Sequence, residues 1–123
     1  MNIILVEDNE NTAILTKLYL EKSGIADHVD HTFRIKPFEH LVNANKYELA
    51  IIDYHLQVLD APEFVKTIKN SKLNSGTPVI VVSHELNEWE KEEIKILGVQ
   101  YIRRHDDYMV FMELIRQTLR KMN

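Results

Sequence analysis

Residues 49–52, Leu-Ala-Ile-Ile, form an unbroken apolar run that is followed directly by Asp53. A short run of this kind is typical of a parallel strand that is buried on both faces. Open α/β sheets place their binding sites beyond the carboxyl ends of such strands. Asp60, Pro62 and Glu63 already supply the start signals of the next helix, so Asp53 is not needed as its cap. The run therefore predicts an α/β sheet with a functional carboxylate at a strand end.

The same pattern of a short apolar run, a polar end and a helical segment occurs along the whole chain. The other predicted strands are residues 2–6, 25–33, 79–82 and 99–102. The segment 25–33 is the most polar, which suits a sheet edge and predicts that His28 and His31 are exposed there rather than joined by a metal. Strict alternation of strands and helices predicts a parallel sheet with right-handed crossovers and helices on both faces. We expect the α/β flavodoxin-like (βα)5 fold with strand order 2-1-3-4-5.

Helical spacing and end signals locate the five helices between these strands. The third and fourth are predicted over residues 62–73 and 88–97, and Pro37 suits the start of the second. The first begins near residues 9–11 and ends at Gly24, with a buried stripe formed by Ile14, Leu15, Leu18 and the stem of Lys22. The predicted stripe of the last helix is Tyr108, Phe111, Met112, Ile115, Leu119 and Met122.

Composition limits the possible functions. With 123 residues, of which 45% are hydrophobic, we expect one domain over residues 1–123. The net charge of -4 disfavours direct nucleic-acid binding, and no apolar run is long enough to span a membrane. The chain has no cysteine, which excludes disulfides, thiolate metal sites and cysteine catalysis. These features predict a soluble, cytoplasmic protein. We separately expect a monomer or a weak dimer.

Acidic residues follow the first and third predicted strands, which the expected strand order makes neighbours. Glu7 and Asp8 would then lie beside Asp53. Carboxylates so close together either raise their pKa values or bind a cation, and Mg²⁺ is the cation that prefers oxygen ligands. With Mg²⁺ bound, Asp53 is a plausible nucleophile toward a phosphoryl group. Ser83 and Arg104, at the ends of the fourth and fifth strands, would donate to its oxygens.

With these residues in place, the chain resembles the CheY-like receiver domains of bacterial two-component response regulators over nearly its whole length. The matching segments are ILVEDN, LAIIDYHLQVLDAPEF, TPVIVVSHE and GVQYIRR. The resemblance implies that Asp53 accepts a phosphoryl group from a histidine kinase or phosphotransfer protein and hydrolyses it slowly. It also implies a switch of the face formed by the fourth helix, fifth strand and fifth helix, which a downstream protein reads.

The resemblance also assigns individual roles. Glu7, Asp8 and Asp53 form the Mg²⁺ pocket, to which the His55 backbone carbonyl adds a ligand. Ser83 matches the hydroxyl residue that contacts the phosphoryl group, and Tyr101 matches the aromatic residue that responds to it. These assignments make the chain a regulatory phospho-acceptor rather than an enzyme with a substrate of its own.

The sequence departs from the family pattern at several positions. Arg104 and His105 replace the usual Lys-Pro pair, and the segment from Gly98 to Tyr101 is one residue shorter than usual. Arginine keeps the positive charge, but its planar fork differs from a lysine ammonium. A non-proline cis bond costs roughly 2.5 to 4 kcal/mol, so we predict a trans peptide between Arg104 and His105. Three further departures are Gln57 in place of Pro, Ala61 in place of Gly, and His84 in place of a small residue.

These departures keep a second interpretation open, a degenerate receiver that binds a partner without phosphorylation. An FMN-binding flavodoxin is disfavoured, because the acids after the first strand would repel a phosphate. A stand-alone phosphatase is disfavoured because no cap insertion or long loop encloses a substrate.

The predicted partner surface lies on the fourth and fifth helices. Trp89 and Ile96 are seven residues apart, hence on nearly one face of the fourth helix, whereas Leu86, Ile94 and Leu97 should face the sheet. Exposed aromatic residues are common anchors at interfaces. An exposed Trp89 would support this surface, and a buried one would remove its main support.

Overall fold

A computed structural model describes residues 1–56 and 60–122. In that part of the chain, five strands alternate with five helices. The strands are β1 (Asn2–Val6), β2 (His28–Thr32), β3 (Leu49–Asp53), β4 (Val79–Ser83) and β5 (Gln100–Arg103). The helices are α1 (Glu10–Lys22), α2 (Ile35–Ala44), α3 (Ala61–Lys69), α4 (Glu88–Leu97) and α5 (Tyr108–Met122). Gln57, whose departure from the family pattern was noted above, lies outside the described residues.

The strands form one parallel sheet in the order β2-β1-β3-β4-β5, which confirms the predicted flavodoxin-like fold. One face of the sheet packs against α1 and α5, and the other packs against α2, α3 and α4. Each central strand therefore has an apolar core on both sides. Residues 49–52 are completely buried, as the unbroken apolar run predicted.

Most predicted elements are present, with shifts at their ends. β2 is shorter than predicted, because the backbone of Ala26 and Asp27 is hydrogen-bonded to Leu20 and Met1 instead of to a neighbouring strand. His28 and His31 are exposed on it, as predicted. β5 lies one residue later than predicted, and α4 has the predicted bounds.

Helix α3 ends at Lys69, four residues before the predicted end. Buried polar side chains fix the turn that follows it. The Ser71 hydroxyl donates to the Val42 carbonyl at 2.8 Å, and the Asn74 amide donates to the same carbonyl at 2.5 Å and to that of Asn45 at 2.7 Å. Such side chain to backbone bonds compete with continuation of a helix.

The predicted buried stripe of α1 is wrong. Ile14, Leu15 and Leu18 are 57%, 41% and 41% exposed, whereas Ala13, Thr16 and Leu20 are buried. Residues 13, 16 and 20 also follow helical spacing, so the periodicity fitted two faces of the helix. The small side chains of Ala13 and Thr16 give α1 a close approach to the sheet. The larger residues are left on the solvent side.

Helices α4 and α5 have the predicted orientation. Leu86 and Ile94 are buried, Leu97 is half-buried, and Trp89 is exposed. Asn87 and Glu90 form a reciprocal capping box at the start of α4, and Gly98 ends the helix with φ of 71°. In the predicted stripe of α5, Phe111, Met112 and Ile115 are buried, while Tyr108, Leu119 and Met122 are partly buried against the same core.

The Arg104–His105 peptide is trans, as the absence of proline predicted. The loop after β5 begins with a hydrogen bond of 2.8 Å from the Arg104 amide to the Ser83 carbonyl. This bond continues the pairing of β5 with β4 by one residue and fixes the point from which the Arg104 side chain departs.

Thr16 provides a test of the corrected orientation of α1. Its hydroxyl is fully buried and has no hydrogen-bond partner among the described residues. Replacing an unsatisfied buried hydroxyl by a methyl group removes a desolvation cost of about 1 to 3 kcal/mol. We expect Thr16→Val to raise the free energy of unfolding by about 1 kcal/mol in urea denaturation.

Thr118→Val is the matched control. The Thr118 hydroxyl donates to the Leu114 carbonyl at 2.8 Å, so this variant loses a hydrogen bond and should gain nothing. A clear loss of stability in Thr16→Val would contradict the burial of this face of α1.

Candidate functional site

Three carboxyl groups meet at the carboxyl edge of the sheet, where β1 and β3 end side by side. Glu7 and Asp8 follow β1, and Asp53 is the last residue of β3. One oxygen from each group lies within 4.8 Å of the others. Glu7 is buried, whereas Asp8 and Asp53 are half-buried and open to solvent. The structure therefore brings together the three acids that the sequence predicted to be neighbours.

Glu7 has the most perturbed environment of the three. Burial, a hydrogen bond with the Asp53 carboxyl and the charge of Asp53 raise the pKa of Glu7 to about 8, against a smaller opposing effect of Arg104. Its backbone carbonyl accepts a hydrogen bond of 2.6 Å from the His31 ring. Without a cation, Glu7 therefore holds a proton at neutral pH.

Arg104 directly follows β5, which lies two strands away from β3 in the sheet, and its side chain extends to this acidic group. The Arg104 side chain is only 7% exposed, and its Nη2 lies 3.4 Å from Glu7 Oε1. The guanidinium carbon lies 4.9 Å from the centre of the Phe111 ring, which is a favourable cation–π distance. Among the described residues, Arg104 Nη1 has no hydrogen-bond partner. The side chain thus turns toward the acids and retains an unused buried donor.

Ser83 and Tyr101 lie on β4 and β5, on the other side of Asp53 from β1. The Ser83 hydroxyl is buried and donates to the Glu85 carbonyl at 3.1 Å. The Tyr101 hydroxyl donates to the Ser83 carbonyl at 3.4 Å, so this half-buried ring is turned inward. Burial raises the pKa of Tyr101, which keeps its hydroxyl a donor. The two residues are therefore in contact through the Ser83 backbone, and the switch role predicted for them stays a prediction.

Two contacts of the segment after Asp53 were not predicted. The Tyr54 hydroxyl donates to Glu93 on α4, and His55 Nε2 lies 3.6 Å from Glu90 on the same helix. The His55 amide donates to Asp53 Oδ1 at 3.1 Å. The Tyr54–Glu93 and His55–Glu90 pairs are 39 and 35 positions apart in sequence, so no local pattern indicated them. The role predicted for the His55 carbonyl stays a prediction.

Two residues near the acidic site, His84 and Asp60, make fewer side-chain contacts than the sequence indicated. His84 is exposed, and its carbonyl accepts a hydrogen bond of 3.0 Å from Arg103. Asp60 occupies the position before α3, but among the described contacts its side chain makes no capping hydrogen bond.

The sequence from residue 3 to residue 103 matches the model of the response regulator receiver domain family. This match covers most of the chain, so the chain belongs to that family. Receiver domains are regulatory phospho-acceptors of phosphorelay signalling that interact with histidine kinases and effectors, rather than enzymes in the usual sense. No curated protein sequence matched the chain.

Solved structures of receiver domains share the fold. Chemotaxis protein CheY4 of Vibrio cholerae has a TM-score of 0.83 at 16% identity, with 94% of this chain and 96% of that chain covered. A CheY-like receiver domain from Methanospirillum hungatei has a TM-score of 0.80 at 21% identity, covering 98% and 94%. The receiver domain of a sensor histidine kinase from Pseudomonas aeruginosa has a TM-score of 0.74 at 18% identity, covering 94% of each chain. That structure holds a magnesium ion in its active-site cleft.

In the described part of the chain, every helix is too short or too polar to cross a membrane.

The protonation of Glu7 gives a pH test of the site. Because the pKa of Glu7 is raised to about 8 from an ordinary value of 4.5, the folded protein binds more protons than the unfolded chain between these values. Its contribution to stability is complete below about pH 4.5 and is lost as the pH rises through 8. In the absence of divalent cations, we expect Glu7→Gln to flatten the stability profile between pH 5.5 and 8.5 by on the order of a few kcal/mol.

The measurement is chemical denaturation of both proteins across this pH range, with chelator present. Glu48→Gln is the control, because Glu48 is exposed and its carboxylate only accepts a hydrogen bond of 2.8 Å from the Asn2 amide. Parallel profiles of the wild type and Glu7→Gln would contradict a protonated Glu7.

Proposed function

We propose that the chain is a phosphorylatable receiver domain in which Asp53 accepts a phosphoryl group with the help of Mg²⁺. The observation that carries this proposal is the meeting of three carboxyl groups with a buried guanidinium at the carboxyl edge of the sheet. A degenerate receiver would have no need for this arrangement. We also propose that residues 1–123 form one cytoplasmic domain.

Oxygen ligands from Glu7, Asp8 and Asp53 fit Mg²⁺, which prefers carboxylates and water. The His55 carbonyl, two residues after Asp53, is proposed as a further ligand. When bound, Mg²⁺ neutralises the charge of an incoming phosphoryl group and aligns its oxygens. Glu7 must lose its proton to act as a ligand, so metal binding and ionisation of Glu7 are coupled.

Asp53 is proposed as the nucleophile. It is half-exposed at the end of a buried strand, and the His55 amide holds one of its oxygens. The other oxygen attacks the phosphorus of a phosphohistidine, an O–P bond forms, and the P–N bond breaks with its electron pair leaving on the imidazole. The histidine belongs to a kinase or phosphotransfer protein, and slow hydrolysis later returns free phosphate.

Ser83 and Arg104 are proposed to hold the phosphoryl oxygens. The unpartnered Nη1 of Arg104 is a buried donor beside the acids, and a donor in such a site is worth more than one in water. The Ser83 hydroxyl is bonded to the Glu85 carbonyl and would rotate to reach the phosphoryl group. Tyr101 contacts the Ser83 carbonyl and would report this change to α4, β5 and α5, where a downstream effector binds.

The exposed apolar residues of α1 support docking of the phosphodonor. Ile14, Leu15 and Leu18 face solvent on the helix whose first turn adjoins Glu7 and Asp8. A donor must place its phosphohistidine against Asp53. The donor surface around that histidine would then cover α1. An apolar stripe beside the site suits such a contact.

The first prediction from the proposed function is that Asp53 is the modified residue and that Mg²⁺ is required. After incubation with Mg²⁺ and acetyl phosphate or phosphoramidate, intact-mass spectrometry should show one phosphoryl adduct. Asp53→Asn should show none, and chelator should prevent the adduct in the wild type. Asp8→Ala should keep its fold by circular dichroism and lose measurable Mg²⁺ binding.

Asp27→Asn serves as a control for removal of an exposed carboxylate far from the site, since Asp27 pairs with the amino terminus at 2.7 Å. Labelling of Asp53→Asn at the wild-type level, or labelling that ignores chelator, would refute the assignment.

The second prediction concerns Arg104 as the replacement for the usual lysine. Arg104→Gln should slow adduct formation by about 100-fold, the effect expected when one charged donor to a developing anion is lost. Arg104→Lys should keep most of the rate, because it restores a cation. Arg103→Gln, an exposed neighbour whose side chain binds the His84 carbonyl, should label normally.

The measurement is the rate of adduct formation at saturating phosphodonor, together with the melting temperature of each variant. An Arg104→Gln protein that folds normally and labels at the wild-type rate would exclude Arg104 from the phosphoryl site.

A further inference from the structure

Helices α3 and α4 enclose an apolar groove on the far side of α4 from β5. It has a volume of about 300 Å³ and is lined by Pro62, Lys66, Trp89, Glu92, Glu93, Ile96 and Leu97. Trp89 is 71% exposed and Ile96 is 80% exposed, the two most exposed large apolar side chains in the described part of the chain. The groove shares Trp89 and Ile96 of α4 with the predicted surface on the fourth and fifth helices, but its other wall is α3 and not α5.

Helix α4 presents these residues on a fixed support. Its capping box and its Gly98 terminus hold both ends, and Lys69 of α3 donates to the Leu97 carbonyl at 2.5 Å. Ile94 is the buried residue of the helix. A capped helix that exposes a tryptophan and an isoleucine side by side is typical of a protein interaction site.

The groove is connected to the segment that follows Asp53. Glu93, one of its lining residues, accepts the hydrogen bond of the Tyr54 hydroxyl. The Tyr54 ring packs edge-on against His55, with ring centres 5.0 Å apart, and His55 lies 3.6 Å from Glu90. Two consecutive residues after Asp53 therefore contact two acids of α4. A displacement of this segment would move the acidic wall of the groove.

Charge indicates what the groove binds. Helix α4 carries four glutamates and two lysines, and the lysines pair with Glu88 at 3.5 Å and Glu92 at 4.0 Å. Lys66, on the opposite wall, pairs with Glu63 at 3.8 Å. Two glutamates, Glu92 and Glu93, line the groove against one lysine, Lys66, so its lining keeps an acidic excess, whereas Glu90 lies outside it beside His55. A second copy of this chain would bring the same glutamates, so an apolar segment with basic flanks is the better complement.

We propose that the groove between α3 and α4 docks a basic amphipathic helix of a partner protein, and that Tyr54 links its affinity to the state of Asp53. Large apolar anchors of the helix would pack on Trp89 and Ile96, and its lysines or arginines would face the glutamates of α4. The link to Asp53 rests on the proposed function, whereas the docking does not.

Trp89 is the only tryptophan of the chain, so its fluorescence reports directly on the groove. The probe is a synthetic amphipathic helix with leucine anchors one and two turns apart and lysine on its polar face. We expect saturable binding with a Kd of about 1 to 100 µM and a blue shift of the Trp89 emission. An otherwise identical peptide with glutamate in place of lysine should bind at least about tenfold more weakly.

Substitutions locate the binding site. In anisotropy titrations of the labelled lysine peptide, Ile96→Asp should weaken binding by about tenfold or more. Met109→Asp is the matched control, because Met109 is also a large exposed apolar residue, 65% exposed, but lies on α5. Equal binding of both peptides, no effect of Ile96→Asp, or concentration-dependent dimerisation that depends on Trp89 would overturn the proposed occupant.

The link to Asp53 is tested with beryllofluoride, a phosphoryl mimic, whose binding is followed independently by fluorine NMR. With the site occupied, the peptide affinity should change by about fivefold or more, and Tyr54→Phe should lose this change. An occupied site with unchanged affinity would overturn the link. If beryllofluoride does not bind while the peptide does, the proposed function fails and the docking proposal stands.

Discussion

The structure of the site depends on mutual repulsion of carboxylates that the fold forces together. Parallel strands β1 and β3 end at the same edge, so Glu7, Asp8 and Asp53 cannot separate without breaking the sheet. In the absence of a cation, the repulsion is relieved by a proton on Glu7 and by the guanidinium of Arg104. Both forms of relief are reversible. A site of this kind is ready to exchange a proton for a divalent cation and to accept an anionic group that arrives with it.

Arg104 explains how the chain departs from its family pattern and still completes the site. A trans peptide follows it, its amide bonds to the end of β4, and its long side chain crosses above Phe111 to reach Glu7. Burying a guanidinium is costly unless it is paired, and here Glu7 and the Phe111 ring compensate part of that cost. The unused Nη1 is the part that a phosphoryl oxygen would satisfy. This is the physical reason for assigning Arg104 to the phosphoryl site rather than to structure alone.

Features encoded locally could be predicted from the sequence. Strict alternation of five strands and five helices favoured the flavodoxin-like strand order, and that order brought the acids at the ends of β1 and β3 together, because parallel strands turn local order into spatial proximity. Helix α1 could not be oriented, since apolar residues occur on two of its faces and only packing of Ala13 and Thr16 decides between them. The contacts of Arg104 with Glu7 and of Tyr54 with Glu93 join distant parts of the chain. Their chemistry was visible in the sequence, but their pairing required the fold.

The central claim is that the three acids act as one electrostatic unit, and Mg²⁺-linked proton release tests it most directly. Calorimetric titration of Mg²⁺ at pH 7 in two buffers of different ionisation enthalpy gives the number of protons released. With the pKa of Glu7 raised to about 8, we expect release of close to one proton per ion bound, and almost none for Glu7→Gln. Mg²⁺ binding to the wild type without proton release, or no binding at all, would contradict it.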